Sequence, residues 1–155
     1  MQVAPNLVAG CGNPDAGDDA FGHRVIEILR TKPLEGIEAV HLGLAPAALF
    51  DHLPGRQTLI IVDAAVGASG THDPLLDLDW FDPHRPAILS QATLSTHGLT
   101  LAAQIELARQ LQLLPAQVRL IAWLTPGSRI GDSPGGDMAA SVCAAVRRIH
   151  DHAAR

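Results

Sequence analysis

Apolar residues along this chain follow two rhythms. Some form short continuous runs, and others recur every three or four positions. Residues 4 to 11 are the first run, mostly continuous rather than alternating, and predict a short strand covered on both faces. Gly10 and Gly12 allow a sharp exit, and Asn13-Pro14 marks a turn. Phe21, Val25, Ile28 and Leu29 then recur at helical spacing with Arg24 and Glu27 between them, and Asp18 or Asp19 stands where it can cap that helix. The helix is expected to stop before Pro33.

Ile37 to Leu42 reads as a second strand, and Pro46 to His52 as one or two helical turns ended by Pro54-Gly55. Thr58-Leu59-Ile60-Ile61-Val62 is the strongest strand signal, β-branched and apolar throughout, as in a central parallel strand. It runs into Asp63, with Gly67 and Gly70 beyond. From His72 to Pro86 the chain is polar and acidic, yet Leu75, Leu76, Leu78 and Trp80 anchor it as an ordered edge segment. Ala87 to Ser90 reads as a brief strand. A long amphipathic helix follows on Leu101, Ile105, Ala108 and Leu111, ending before Pro115. Val118 to Leu124 is the last strand, and 125 to 136 a polar, glycine-rich loop with Ser128, Arg129 and Asp132. The final helix, roughly Asp137 to Ile149, turns Met138, Val142, Ala145, Val146 and Ile149 inward.

Strands alternating with helices predict a three-layer α/β/α domain around a mainly parallel sheet, with residues 1–155 forming one domain. Its binding site is expected outside the carboxyl ends of the strands, where the opening loop, Asp63 and the 125 to 136 loop meet.

Composition narrows the function. Apolar residues make up 47% of the 155, enough for a sizeable core, while 3% aromatic and no tyrosine leave that core to Leu, Ile, Val and Ala. A formal charge of -5 argues against nucleic acid as a partner. Two cysteines make no disulfide framework and no metal-ligand spacing, which fits a reducing compartment. No window approaches a membrane span, so a cytoplasmic protein without membrane contact is expected.

The opening loop holds the first chemistry. Gly10-x-Gly12 after a strand is half of a dinucleotide fingerprint, but Asp15 stands where the third glycine belongs, and Asp18 and Asp19 would repel a pyrophosphate. The acids support another reading. Asp19 near a helix start and Asp63 after a strand can reach one cleft, and one histidine would complete a ligand set for a divalent transition metal. His97, between a strand-like stretch and a helix start, is the best placed of eight histidines; His150 and His152 fall in a tail expected to fray. Taken singly, Asp19 is equally an N-cap, Asp63 a turn residue and His97 a structural imidazole. Cys11 lies beside acids that would raise its thiol pKa, so it reads as a small core residue, and Cys143 is assigned to packing.

Together these elements resemble the hydrogenase maturation endopeptidases, which process the large subunit of nickel-iron hydrogenases. The resemblance rests on Gly10-Cys11-Gly12-Asn13 with Asp18-Asp19 and Gly22, on Val62-Asp63-Ala64 with Gly67 downstream, and on Ser95-Thr96-His97-Gly98-Leu99. It spans residue 7 to about 149. It implies a twisted, mostly parallel five-stranded sheet, and it implies that Asp19, Asp63 and His97 bind nickel or a surrogate divalent ion. The implied activity is removal of a C-terminal extension from the nickel-loaded large-subunit precursor, with nickel presented by that substrate. Small size and modest charge permit a monomer. Gly10, Gly12 and Asn13 then shape the loop and grip the substrate backbone. The chain departs from the family twice. The second acid is commonly Glu, and here it is the shorter Asp19. The usual Gly-x-Leu-Ser-Pro-Glu type segment is replaced by Gly135-Gly136-Asp137-Met138-Ala139-Ala140. A non-catalytic metal-sensing chaperone that binds the precursor is the alternative, and a nucleotide-binding regulator a third reading.

Overall fold

The two apolar rhythms resolve into strands and helices in a computed structural model that describes residues 2–67, 75–84, 92–94, 96–125 and 137–155, with the backbone alone at 46, 66, 67, 92–94 and 96–100. In chain order these are β1 (Asn6–Cys11), a 3-10 turn (Gly17–Ala20), α1 (Phe21–Thr31), β2 (Ile37–Gly43), a second 3-10 segment (Pro46–His52), β3 (Thr58–Gly67), β4 (Leu75–Asp79), β5 (Ala92–Leu94), α2 (Thr96–Gln110), β6 (Gln117–Thr125) and α3 (Met138–Ala153). The main path of the sheet has five strands in the order β2-β1-β3-β6-β4. The first four run parallel and β4 closes the edge antiparallel. A sixth, β5, lies antiparallel on the far end of β3.

Period-two alternation sorts the core residues onto two faces. Val8, Ile60, Val62, Ile121 and Trp123 face α1 and α3 through Phe21, Val25, Ile26, Val142, Ala145 and Ile149. Leu7, Ala9, Cys11, Leu59, Ile61 and Leu120 face the second 3-10 segment and α2 through Leu49, Leu53, Leu101 and Ile105. The result is the expected three layers. Phe21 stacks at a tilt on Trp123, ring centroids 5.4 Å apart, and ties the start of α1 to the end of β6.

Several sequence expectations need correction. Asp63 does not end β3; the strand continues for four residues to Gly67 because β6 pairs it as far as Val66 and β5 pairs it from Ala65. The acidic stretch is an ordered edge segment, as expected: it forms the strand β4, with Leu75 buried against Trp123 across the ladder. Leu111 lies just past α2 and is exposed, as is Cys143, one residue beyond the buried Val142 on α3. The brief strand at Ala87 to Ser90 and the loop at 126–136 lie outside the described residues.

The last helix does not fray at His152 either. Asp77 on β4 accepts from Arg119 on β6 at 2.8 Å and 3.0 Å, and its Oδ2 stands 2.9 Å from His152 Nε2. Burial alone would raise the Asp77 pKa, but the hydrogen bonds and charges of His152 and Arg119 outweigh it and hold the carboxyl below its ordinary value. A depressed folded pKa contributes stability above the unfolded value of about 3.9 and loses it as pH falls through the folded pKa. Asp77→Asn should therefore destabilise the protein at pH 7, and its deficit against the wild type should shrink at pH 3, as read from urea unfolding at the two pH values. An equal deficit at both would place the effect in packing instead.

Candidate active site

In the strand order, β2 lies on one side of β1 and β3 on the other. The crevice outside the carboxyl ends of β1 and β3 is thus the switch point of the sheet, where open α/β folds bind ligands. β1 pairs with β3 only as far as Gly10 and Val62, leaving Cys11 and Asp63 at the fork where β5 takes over.

The opening loop is held there by its glycines. Gly12 adopts φ +112°, a conformation L side chains rarely take, and a Cβ would strike the Asp19 backbone. Gly22, in the first turn of α1, presses on both strands: its Cβ would meet the Cys11 carbonyl oxygen, the Val62 carbonyl oxygen at 2.7 Å and the Cys11 nitrogen at 2.9 Å. Gly10 in turn has no room for a Cβ between Ile26 and the Gly22 carbonyl. The small residue that the dinucleotide pattern lacked at Asp15 is supplied by Gly22. The longer acidic loop displaces the close helix–strand contact to that position.

The acids do not cap helices. Ala16 precedes the 3-10 turn and Ala20 precedes α1, neither with a side-chain cap bond, and Ala20 is already helical at φ -76°, ψ -3°. Asp18 is buried instead and accepts from the Thr125 hydroxyl at the end of β6. Asp19 folds back onto the loop, its Oδ2 accepting from the Asn13 amide at 2.8 Å. Asn13 braces the turn a second time, since its Oδ1 accepts from the Asp15 amide at 2.9 Å and its carbonyl from Ala16. Asp63 is fully buried, with Oδ1 accepting from the Ala64 amide at 2.8 Å. By strand alternation it shares the face of Cys11 and α2.

Cys11 reports the local field. Its thiol is pushed well above the ordinary value by burial first, then by the Asp63 and Asp19 charges. Both carboxylates therefore act on one point in the crevice. Since the reactive species is the thiolate, Cys11 is the small core residue its neighbours predict and not a nucleophile. A thiol reagent at pH 8 should modify exposed Cys143 alone in the native protein and both cysteines after denaturation, as counted by intact mass. Rapid native modification of Cys11 would contradict this field.

His97 is the second residue of α2. Leu94, two residues before that helix, pairs with Ala65, two residues beyond Asp63, so the backbone brings the start of α2 to the Asp63 end of the crevice. The His97 side chain lies outside the described residues. Among the described residues no group of three or more His, Cys, Asp or Glu side chains is arranged to hold a metal ion. The thread from Asp18 to Thr125 had no signal in sequence, since 107 residues separate the two.

Fold and strand order define an α/β/α protein with the Asp19 and Asp63 carboxylates gathered near Cys11 at its switch point. The solved structures it is similar to include hydrogenase maturation endopeptidases, which is the resemblance its motifs carry. HybD of Thermococcus kodakarensis, a nickel-iron hydrogenase maturation protease, matches at TM-score 0.80 and 21% identity over 99% of each chain. The hydrogenase maturating endopeptidase HybD of E. coli matches at 0.77 and 24%, over 96% of this chain and 90% of that one. The hydrogenase 2 maturation peptidase of a Thaumarchaeota archaeon matches at 0.67 and 25%, over 95% and 96%. No family model and no curated protein sequence matches the chain.

Proposed function

We propose that this protein is the endopeptidase that removes the C-terminal extension of a nickel-iron hydrogenase large-subunit precursor once nickel is inserted. The observation that carries this reading is the fold likeness along almost the whole chain to maturation endopeptidases. The Asp63 and Asp19 charges that help raise the Cys11 thiol stand at the switch point of that fold.

On this reading nickel belongs to the substrate. Asp19, Asp63 and His97 engage it, two oxygens and one imidazole being a donor set that suits a divalent transition ion. The field that raises the Cys11 thiol is the field a cation would meet. Nickel presented there by the substrate would supply Lewis acidity, polarising the scissile carbonyl or activating water. A carboxylate not engaged with it takes the proton from the attacking water and returns it to the amine as the peptide C–N bond breaks. Gly10 to Gly12 and Asn13 present loop backbone to the extended substrate. Asp19 is braced against Asn13, so its one-methylene-shorter reach fixes the carboxylate close to the loop, and the precursor's nickel must enter deeply to meet it. The protein works in the cytoplasm as a monomer, with residues 1–155 as one unit; its two free thiols fit that compartment, and among the described residues no helix is long and apolar enough to cross a membrane.

Intact-mass analysis of the nickel-loaded precursor tests the reading. Wild-type protein should shorten it by one defined peptide, and Asp19→Ala and His97→Ala should leave its mass unchanged. Binding without any change in mass would replace the protease with a chaperone, and normal processing by either variant would remove that residue from the site.

A further inference from the structure

We propose that His23 and His41 form a two-imidazole site for a divalent transition metal, distinct from the Asp19 and Asp63 crevice. The rings come from α1 and from β2 and meet with centroids 4.6 Å apart and planes at 78°. Each ring has one nitrogen engaged and the other buried with no hydrogen-bond partner: Nδ1 of His23 and Nε2 of His41.

The engaged nitrogens set the tautomers. His23 Nε2 stands 3.2 Å from Glu27 Oε1, so the proton sits on Nε2 and the lone pair on Nδ1. The Gly12 backbone lies beside the His41 ring, on the side away from the unpartnered Nε2, which leaves Nδ1 as the engaged nitrogen. A carboxylate or a carbonyl behind one ring nitrogen, with a free lone pair on the other, is the support that metal-binding histidines use. The spacing agrees as well. With metal–nitrogen bonds of about 2.1 Å, an ion stands roughly 3.2 Å from each ring centroid, so two ligands at a right angle place the centroids roughly 4.5 Å apart.

His41 is also held in the neutral, ligating form, since burial first, with the Arg30 charge adding to it, lowers its pKa. Glu27 supplies negative charge beside the pair, and Arg24 shares that carboxylate at 3.8 Å. No third ligand joins the pair among the described residues, so water or a docked partner fills the remaining positions. Imidazole donors with open positions suit nickel, copper or zinc rather than magnesium or calcium. Because His41 lies beside the Gly12 backbone, an ion there would also brace the loop that carries Asp19.

Untagged full-length protein titrated with Zn2+ should move the 15N resonances of His23 Nδ1 and His41 Nε2 together. Titration with Ni2+ should lose one bound equivalent in His23→Gln and in His41→Gln, and keep it in His97→Ala. Ring resonances unmoved by zinc in the wild type would overturn the proposal, whether or not the variants fold. So would full binding by both glutamine variants, or loss of that equivalent only in His97→Ala.

Discussion

Gly22→Ala is expected to lower the thermal midpoint by roughly 4–8 °C, corresponding to about 2 kcal/mol or more for a chain of this length. Helix propensity alone predicts the opposite sign, because alanine is favoured over glycine inside a helix by about 1 kcal/mol. Packing decides the outcome. The new methyl would press on the carbonyl oxygens of Cys11 and Val62, backbone atoms fixed in the β1–β3 ladder that cannot rotate away as a side chain can. Overpacking of this kind costs about 1–3 kcal/mol and more where the neighbour is rigid. Relief would require α1 to lift off the sheet, exposing the fully buried Phe21 and Val25. That shift would also carry the acidic loop away from Asp63, so processing should fall along with stability. Calorimetry reads the first effect and precursor mass the second. A raised midpoint would mean that the helix moves outward at no cost.

The layers were legible because their signal is local. Val8, Ile60 and Ile121 lie in runs covered on both faces, and Phe21 and Val25 recur at helical spacing whatever they pack against. Features that depend on a distant partner were not. Ala64 to Gly67 reads as loop until β5 and β6 pair with it, which is why Asp63 looked like a strand terminus. His152 looked like tail because nothing near it predicts Asp77, 75 residues earlier. That Cys11 and Asp63 stand at one end of neighbouring strands followed from the alternation of strands and helices. The second duty of each acid did not follow: spacing marks Asp18 and Asp19 as caps, whereas tertiary contacts turn one to Thr125 and the other to Asn13. His23 and His41 lacked context for the same reason, meeting only when α1 folds over β2.

Asp63→Asn should reduce precursor processing by about a hundredfold or more, because a metal-polarised carbonyl gains several kcal/mol of transition-state stabilisation and an amide is a poorer ligand for the ion than a carboxylate, while leaving the fold at least as stable. The amide preserves the shape of the carboxyl group, and its oxygen can still accept from the Ala64 amide. What disappears is a negative charge at a fully buried position. Holding a charge in a low-dielectric interior is costly, so its removal should leave the thermal midpoint unchanged or raise it. Opposite signs for stability and activity distinguish a residue kept for its chemistry from one kept for packing. Cys11 provides a second readout that needs no substrate. With the Asp63 charge gone, its thiol should titrate at lower pH than in the wild type, still held up by burial and by Asp19. If Asp63→Asn processes the precursor at the wild-type rate while the Cys11 thiol shifts as expected, the charge is present in the crevice but the reaction occurs elsewhere. If neither changes, Asp63 and Cys11 do not share the crevice at all.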